Sequence, residues 1–166
     1  MNMRDIIQKS GDLPGALIRL VQSNRMGEPV GIYSICSSNR FVLEAGMQQA
    51  AADAALLSIE STSNQVNQFG GYSGMKPADF ARFVRTVALN MGFPAERILL
   101  GGDHLGPHVW QDEPAGSAMS KACELVRSCV EAGYVKIHLD ASMRCADDPG
   151  DVRSPLAEER ITARAA

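Results

Sequence analysis

The chain has 166 residues and a mass of 17.8 kDa, which predicts one domain, and its 45% hydrophobic residues suffice for one core. The net charge of −3, with no cluster of Lys or Arg, argues against nucleic acid as a partner. No apolar run is long enough to cross a membrane, and Met1–Asp5 lacks the apolar core of a secretory signal. We therefore expect a cytoplasmic protein with reduced cysteines.

The first half of the chain alternates helix-like and strand-like segments. A helical pattern around Leu13–Gln22 predicts a lead-in helix within residues 1–26. Val30–Cys36 predicts the first strand, and the alanine-rich segment Asn39–Ala52, which contains no proline, predicts a helix. Leu56–Glu60 predicts the second strand.

A long polar stretch, Ser61–Lys76, follows the second strand. Its content of Asn, Gln, Ser and Gly predicts a loop rather than a packed element. The clearest helix comes next, at Pro77–Met91, because its apolar residues recur at intervals of three and four. Pro77 suits the first turn, and Gly92 suits the position after the last turn.

The second half continues the same alternation. Arg97–Gly102 predicts the third strand, and Asp112 opens a helix that ends at Gly133. Tyr134–Asp140 predicts the fourth strand, and Ser154–Ala166 a final helix. This order indicates an α/β fold with a parallel sheet covered by helices.

Two architectures have this order of elements: a small open doubly wound sheet, and part of a TIM barrel. A complete (β/α)8 barrel takes about 250 residues. Four parallel (β/α) units in 166 residues would make about half a barrel. We expect such a half barrel to form a single domain over residues 1–166, and a half barrel could pair with a second copy of itself.

Polar residues stand where each predicted strand ends, which is where parallel α/β folds place their sites. Glu60 ends the second strand, Asp103 and His104 follow the third, and Asp140 ends the fourth. We take Asp103, Glu60 and Asp140 as candidate catalytic carboxylates. The alternative is that each residue merely caps the next helix.

Asp103 and His104 are the most specific candidates among these strand-end residues. A neutral imidazole can ligate a divalent metal such as Zn, Mn or Mg, while a neighbouring carboxylate moves a proton. We expect His104 to be a metal ligand, because Gly101-Gly102 and Gly106-Pro107 on either side suit a bend that presents the pair. The alternative is a histidine that is hydrogen-bonded in the core.

The fourth strand carries Lys136, His138 and Asp140 on one face, because side chains alternate along a strand. We take His138 as a substrate-binding residue. Lys136 suits either a Schiff base, as in class I aldolases, or an ion pair with Asp140 or Glu60. We favour the ion pair.

The polar loop offers neutral hydrogen-bonding groups that suit sugar hydroxyls and phosphate oxygens. The alternative is a solvated surface loop. No Walker loop and no GxGxxG fingerprint occurs, so we expect no nucleotide. The candidate substrate-binding residues of this loop are Ser61, Asn64, Gln65, Asn67 and Gln68.

Three segments, Ile59–Tyr72, Gly101–Pro107 and Lys136–Met143, resemble the D-tagatose-1,6-bisphosphate aldolase subunit family called GatZ/KbaZ-like. The resemblance extends from Gly27 to the end of the chain. It implies a TIM-barrel fold and a role in catabolism of galactitol, N-acetylgalactosamine and tagatose phosphates. It also implies a non-catalytic subunit that supports and stabilises the separate catalytic subunit of a class II aldolase.

The resemblance leaves an enzymatic alternative. Related proteins are credited with 4-epimerisation of ketohexose 6-phosphates, and class II aldolases carry an Asp-His pair at a strand end, with Asp as proton donor and His as zinc ligand. Asp103 and His104 match that pair in type and place. The other ligands of such enzymes come from later strands, and family members are more than twice as long as this chain, so we expect it to correspond to their N-terminal part. We rank the supporting subunit first, the epimerase second and an autonomous aldolase third.

Overall fold

The computed structural model describes residues 12–149. Four parallel strands form one sheet in the order β1-β2-β3-β4. The strands are β1 (Ser34–Cys36), β2 (Leu57–Thr62), β3 (Ile98–Leu105) and β4 (Lys136–Leu139). The predicted α/β fold is thus confirmed, and its sequential strand order agrees with half of a (β/α)8 barrel.

Helices alternate with the strands along the chain. They are α1 (Leu13–Arg25), α2 (Arg40–Ala52), α3 (Pro77–Met91) and α4 (Ala115–Glu131). Two short 3₁₀ turns, Ala95–Arg97 and Pro107–Trp110, flank β3. None of these helices, within the part of the chain described, is long and apolar enough to cross a membrane.

The core lies on both faces of the sheet. Leu57, Ile59 and Leu100 pack with Leu43 of α2 and Phe80 of α3 in the main cluster, and all five are nearly inaccessible to solvent. Strand β2 is buried up to Ser61, but its side chains alternate: Leu57 and Ile59 lie in this cluster, whereas Ser58 and Glu60 point to the opposite face.

A second cluster lies under the lead-in helix. Leu56 and Leu99 pack there against Ala16 and Leu20 of α1. Leu99 and Leu100 are neighbours in β3, so they point to opposite faces of the sheet. Helix α1 therefore covers the face opposite to α2, α3 and α4, near the beginnings of the strands.

Several predicted boundaries needed correction. Strand β1 begins at Ser34 rather than Val30, and β4 spans Lys136–Leu139 rather than Tyr134–Asp140. Helix α4 begins at Ala115 rather than Asp112, since a turn precedes it. The predicted helix at Ser154–Ala166 and residues 1–11 of the lead-in region lie outside the described residues.

Strand β3 extends beyond its predicted end at Gly102 and includes Asp103 and His104. The pairing with β4 is irregular between Gly102 and Leu105, which is typical of a β-bulge. Helix α3 has its predicted limits, and Gly92 ends it with a left-handed backbone at φ 64°.

Gly106 brings the end of β3 against the end of β4. A Cβ atom at Gly106 would lie 1.6 Å from the carbonyl oxygen of Asp140. We predict that Gly106→Ala lowers the free energy of unfolding by about 1–3 kcal/mol, because a side chain there forces the two strand ends apart. Urea unfolding measures the change. The control is Gly116→Ala in the first turn of α4, where a Cβ meets no atom within 4 Å; equal losses in both variants would contradict the prediction.

Candidate functional site

Asp103, His104 and His138 meet where β3 and β4 end. Nδ1 of His138 lies 2.9 Å from one carboxylate oxygen of Asp103, and Nδ1 of His104 lies 3.0 Å from the other. The two imidazole rings stand 4.5 Å apart between centroids and meet edge to face. We call this group the Asp-His-His cluster.

Local backbone geometry explains why two adjacent residues of β3 reach the same place. Neighbours on a regular strand point to opposite faces. His104 instead has a left-handed backbone with φ 50°, and it lies in the irregular stretch between Gly102 and Leu105. This turn of the chain swings the imidazole back toward the Asp103 carboxylate, at a cost of roughly 1–2 kcal/mol in backbone strain.

The charge of Asp103 is set by competing effects. Partial burial disfavours the ionised form of Asp103 and so raises its pKa. Hydrogen bonds from His138 and His104 favour the ionised form more strongly, and they hold the pKa of Asp103 below its usual value. Asp103 is therefore ionised at neutral pH. Both imidazoles then donate from Nδ1, and each keeps its Nε2 lone pair for another partner.

The three side chains of the Asp-His-His cluster are of the kinds that can ligate a divalent metal. One ligand atom from each of the three residues can be chosen so that all lie within 4.8 Å of one another. Two imidazoles and a carboxylate suit Zn²⁺ or Mn²⁺. A carboxylate that holds imidazoles through Nδ1 is a common way to orient histidine ligands.

Glu60 lies on the same face of the sheet but in a separate network. Its side chain is buried, and it accepts hydrogen bonds from Ser34 (2.5 Å) and Ser58 (2.8 Å) on one oxygen. Nζ of Lys136 bonds to the other oxygen at 2.6 Å. The ion pair that we favoured for Lys136 is thus formed with Glu60.

Gly101 makes the Glu60–Lys136 pair possible. Glu60, Gly101 and Lys136 align in one row across β2, β3 and β4. A Cβ atom at Gly101 would lie 3.2 Å from Cγ of Glu60 and 3.3 Å from Cβ of Lys136. Because glycine has no side chain, the side chains of Glu60 and Lys136 can meet across this position. Burial raises the pKa of Glu60, but its three hydrogen bonds lower the pKa by more than burial raises it. The pKa of Glu60 therefore lies below its usual value.

Asp140 and Cys36 border the Asp-His-His cluster. Asp140 accepts hydrogen bonds from the backbone and hydroxyl groups of Ser142, which lower its pKa. It therefore ties down the chain after β4. Burial, with Asp103 and Glu60 nearby, raises the pKa of the Cys36 thiol to about 11, so this cysteine is a neutral thiol.

The polar loop between β2 and α3 is folded by its own side chains. Gln65 accepts a hydrogen bond from the backbone of Thr62 at 2.8 Å, and Asn67 bonds to the backbone of Ser63, Phe69 and Gly71. Several polar side chains of this loop are therefore bonded to the loop's own backbone, which the polarity of the sequence alone does not show.

The other loop candidates have different surroundings. Ser61 belongs to β2, is buried, and shares a 3.0 Å hydrogen bond with Tyr134. Gln68 bonds to the backbone of Lys121 in α4. Asn64 is exposed, which leaves its side chain accessible to a ligand. Substrate binding by Ser61, Asn64, Gln65, Asn67 and Gln68 stays a prediction.

Sequence reasoning missed that His138 lies beside Asp103 and His104 as a third side chain that could hold a metal. The signal was available in part. Alternation places His138 on the same face of β4 as Lys136, two residues further along. Lys136 pairs with Gly101 of β3, and Asp103 lies two residues beyond Gly101, so His138 and Asp103 come side by side. This register between β3 and β4 cannot be read from the sequence. His108 does not belong to the cluster and lies in the 3₁₀ turn that follows β3.

Known proteins resemble this chain over most of its length. The family described as D-tagatose-1,6-bisphosphate aldolase subunit GatZ/KbaZ-like matches residues 17–166. The chain belongs to this family.

Curated relatives carry the same subunit name. The chain is 53% identical over 141 residues to a D-tagatose-1,6-bisphosphate aldolase subunit GatZ of Klebsiella pneumoniae, covering 85% of this chain and 33% of the relative. It is 54% identical over 147 residues to a GatZ subunit of Escherichia coli, covering 89% and 34%. The chain thus spans about a third of the length of these relatives.

A solved structure has the same fold. The crystal structure of a probable tagatose 6 phosphate kinase from Sinorhizobium meliloti superposes with a TM-score of 0.70 at 48% sequence identity. The match covers 82% of this chain and 36% of that one.

The Glu60–Lys136 pair gives a testable effect on stability. We predict that Lys136→Met lowers the free energy of unfolding by about 1–3 kcal/mol at pH 7, because Glu60 keeps a buried charge without its cation. Because the pKa of Glu60 is lower in the folded chain than in the unfolded chain, the ionised side chain stabilises the fold at pH values above its unfolded-state pKa. This stabilisation is lost as the pH falls through the folded-state pKa. The difference between wild type and variant should therefore shrink below about pH 4.5.

The matched control is Lys121→Met. Lys121 pairs with Glu113, and both side chains are about one-third exposed. We expect its loss to cost clearly less than the loss of Lys136, because solvent screens the exposed pair. Urea unfolding of both variants between pH 4 and pH 7 makes the comparison, and a loss at Lys121 as large as that at Lys136 would contradict a special role for the buried pair.

Proposed function

We propose that this chain acts as a supporting subunit of a class II tagatose-1,6-bisphosphate aldolase. It would stabilise a separate catalytic subunit in the breakdown of galactitol, N-acetylgalactosamine and tagatose phosphates. The observation that carries the proposal is the identity of more than 50% to proteins named as subunits of that aldolase. A cytoplasmic location remains our expectation for this role.

The geometry of the described residues agrees with a supporting role. Glu60 is engaged by Ser34, Ser58 and Lys136, and Asp140 is engaged by Ser142. Two of the three candidate catalytic carboxylates are therefore already engaged by other side chains of this chain. Within residues 12–149, the Asp-His-His cluster is the one group of metal-ligating side chains close enough to share an ion.

We predict that the 166-residue chain raises the activity and the thermal half-life of a class II tagatose-bisphosphate aldolase catalytic subunit. The variant Asp103→Asn separates support from chemistry, because it keeps the shape of the side chain and removes its charge. Equal stimulation by wild type and variant is the expected result for a non-catalytic subunit. The chain without the catalytic subunit is the background, and absence of any stimulation would contradict the proposal.

A second function is favoured by the Asp-His-His cluster itself. We propose that His104 and His138 bind a divalent metal, with Asp103 holding their Nδ1 atoms. When bound, such a metal would stabilise negative charge on an oxygen of a ketohexose phosphate. This chemistry would suit 4-epimerisation of a ketohexose 6-phosphate, or aldol cleavage.

The side chains have distinct parts in this second proposal. Asp103 is held ionised, so it is ready to accept a proton rather than to donate one. The hydrogen bonds from His104 and His138 fix the position of the Asp103 carboxylate. Asn64, exposed on the neighbouring loop, is available to bind sugar hydroxyls.

We predict that His104→Ala and His138→Ala each weaken Zn²⁺ binding by about tenfold or more, since each removes one imidazole ligand. Titration calorimetry and metal content of the dialysed chain measure this without an activity assay. His108→Ala is the control, because His108 lies outside the cluster. Zn²⁺ affinity that is unchanged in both cluster variants would rule out the metal site.

A further inference from the structure

A groove of about 410 Å³ runs between the beginning of α3 and the second half of α4. Helix α3 joins β2 to β3, and α4 joins β3 to β4, so both walls come from helices that connect paired strands. We call it the α3–α4 groove. The polar residues that line it are Gln68, Lys76, Glu124, Ser128 and Glu131.

The wall formed by α4 is acidic. Glu124, Ser128 and Glu131 follow one another at intervals of four and three residues, so they lie on one side of the helix. Within residues 12–149, neither glutamate forms an ion pair or a side-chain hydrogen bond. Lys76, at the start of α3, is the one cationic side chain among the described lining residues. Two carboxylates against one ammonium group give the groove a net negative charge.

The position of Glu131 strengthens this negative potential. Glu131 is the last residue of α4, and the last turn of the helix contains no basic residue. The carbonyl groups at a helix C-terminus carry partial negative charge, so a carboxylate is disfavoured there and a cation is favoured. In the described part of the chain, Arg127 is close in sequence to both glutamates but pairs with neither. A cation from another molecule would be stabilised by the helix end as well as by the carboxylates.

Gln68 adds a hydrogen-bond acceptor to the lining of the groove. Its Nε2 donates to the backbone carbonyl of Lys121 at 3.0 Å, while its Oε1 is inaccessible and has no hydrogen-bond partner among the described residues. An acceptor without a donor costs free energy that a bound N–H group would recover. The next residue, Phe69, is 67% exposed, and its ring meets that of Trp110 edge to face. An apolar anchor thus stands beside Gln68 in the chain.

We propose that the α3–α4 groove docks a basic segment of the catalytic aldolase subunit. This inference rests on the proposed function, which supplies that partner. Lys or Arg side chains fit the groove because their charges complement Glu124 and Glu131 and because their N–H groups are donors for Gln68. The two glutamates are seven residues apart, which is about 10 Å along a helix. The docking segment therefore presents two cations about 10 Å apart.

Titration calorimetry of the 166-residue chain with a class II tagatose-bisphosphate aldolase catalytic subunit tests this docking site. Glu124→Lys and Glu131→Lys should each raise the dissociation constant about fivefold or more, because each replaces an attraction with a repulsion. Glu124→Gln and Glu131→Gln, which keep the size of the side chain, should have smaller effects in the same direction. The affinity of the wild-type chain should fall as the NaCl concentration rises.

Glu96→Lys is the matched control. Glu96 is exposed in the 3₁₀ turn before β3, it does not line the groove, and its substitution changes the net charge by the same amount. This variant should bind the catalytic subunit as the wild type does. Urea unfolding of each variant verifies the fold. Glu131→Lys should not lower the unfolding midpoint, because it removes a carboxylate from the C-terminal end of α4.

The outcomes separate this inference from the proposed function. If the catalytic subunit binds the wild type, the groove variants and the control equally well, the docking site is wrong and the supporting role stands. An equal loss in Glu96→Lys would show an effect of net charge alone and would also overturn the docking site. A wild-type chain that does not bind the catalytic subunit overturns both proposals. Self-association that only the groove variants lose would assign the groove to a second copy of the chain instead.

Discussion

The buried carboxylate of Glu60 is the interaction on which the sheet depends. It gathers hydrogen bonds from β1, β2 and β4, and it reaches β4 across the side-chain gap at Gly101. A charge buried in this way is stable only while Lys136 remains beside it. The pair thus links β2 and β4, which are not neighbours in the sheet. The Asp-His-His cluster lies where β3 and β4 end.

The fold was largely predictable from the sequence, because helix periodicity and buried strands leave strong local patterns. Pro77–Met91 matched its prediction at both ends, since proline and glycine mark its limits. Strand limits were less certain. Val30 lies in the predicted first strand but packs near α1 instead, and His104 continues β3 beyond the glycines that suggested its end. Pairing partners decide such limits, and a single strand's sequence does not contain them.

The candidate site was predictable in part. Asp103 and His104 were identified because they follow the third predicted strand and because the glycines on either side suit a bend that presents them. His138 was placed on the correct face, but its role as a partner of Asp103 depends on the register between β3 and β4. Gln65 and Asn67 illustrate the converse difficulty. Amide side chains suit a sugar ligand and the backbone of their own loop equally well, and composition does not distinguish the two.

The left-handed backbone of His104 has an evolutionary consequence. Glycine would adopt this conformation without strain, so selection for stability alone would favour glycine at position 104. The metal site proposed above would account for a histidine at this position despite the strain. Under that proposal, a relative with Gly or Asn at this position would keep the scaffold without the Asp-His-His cluster.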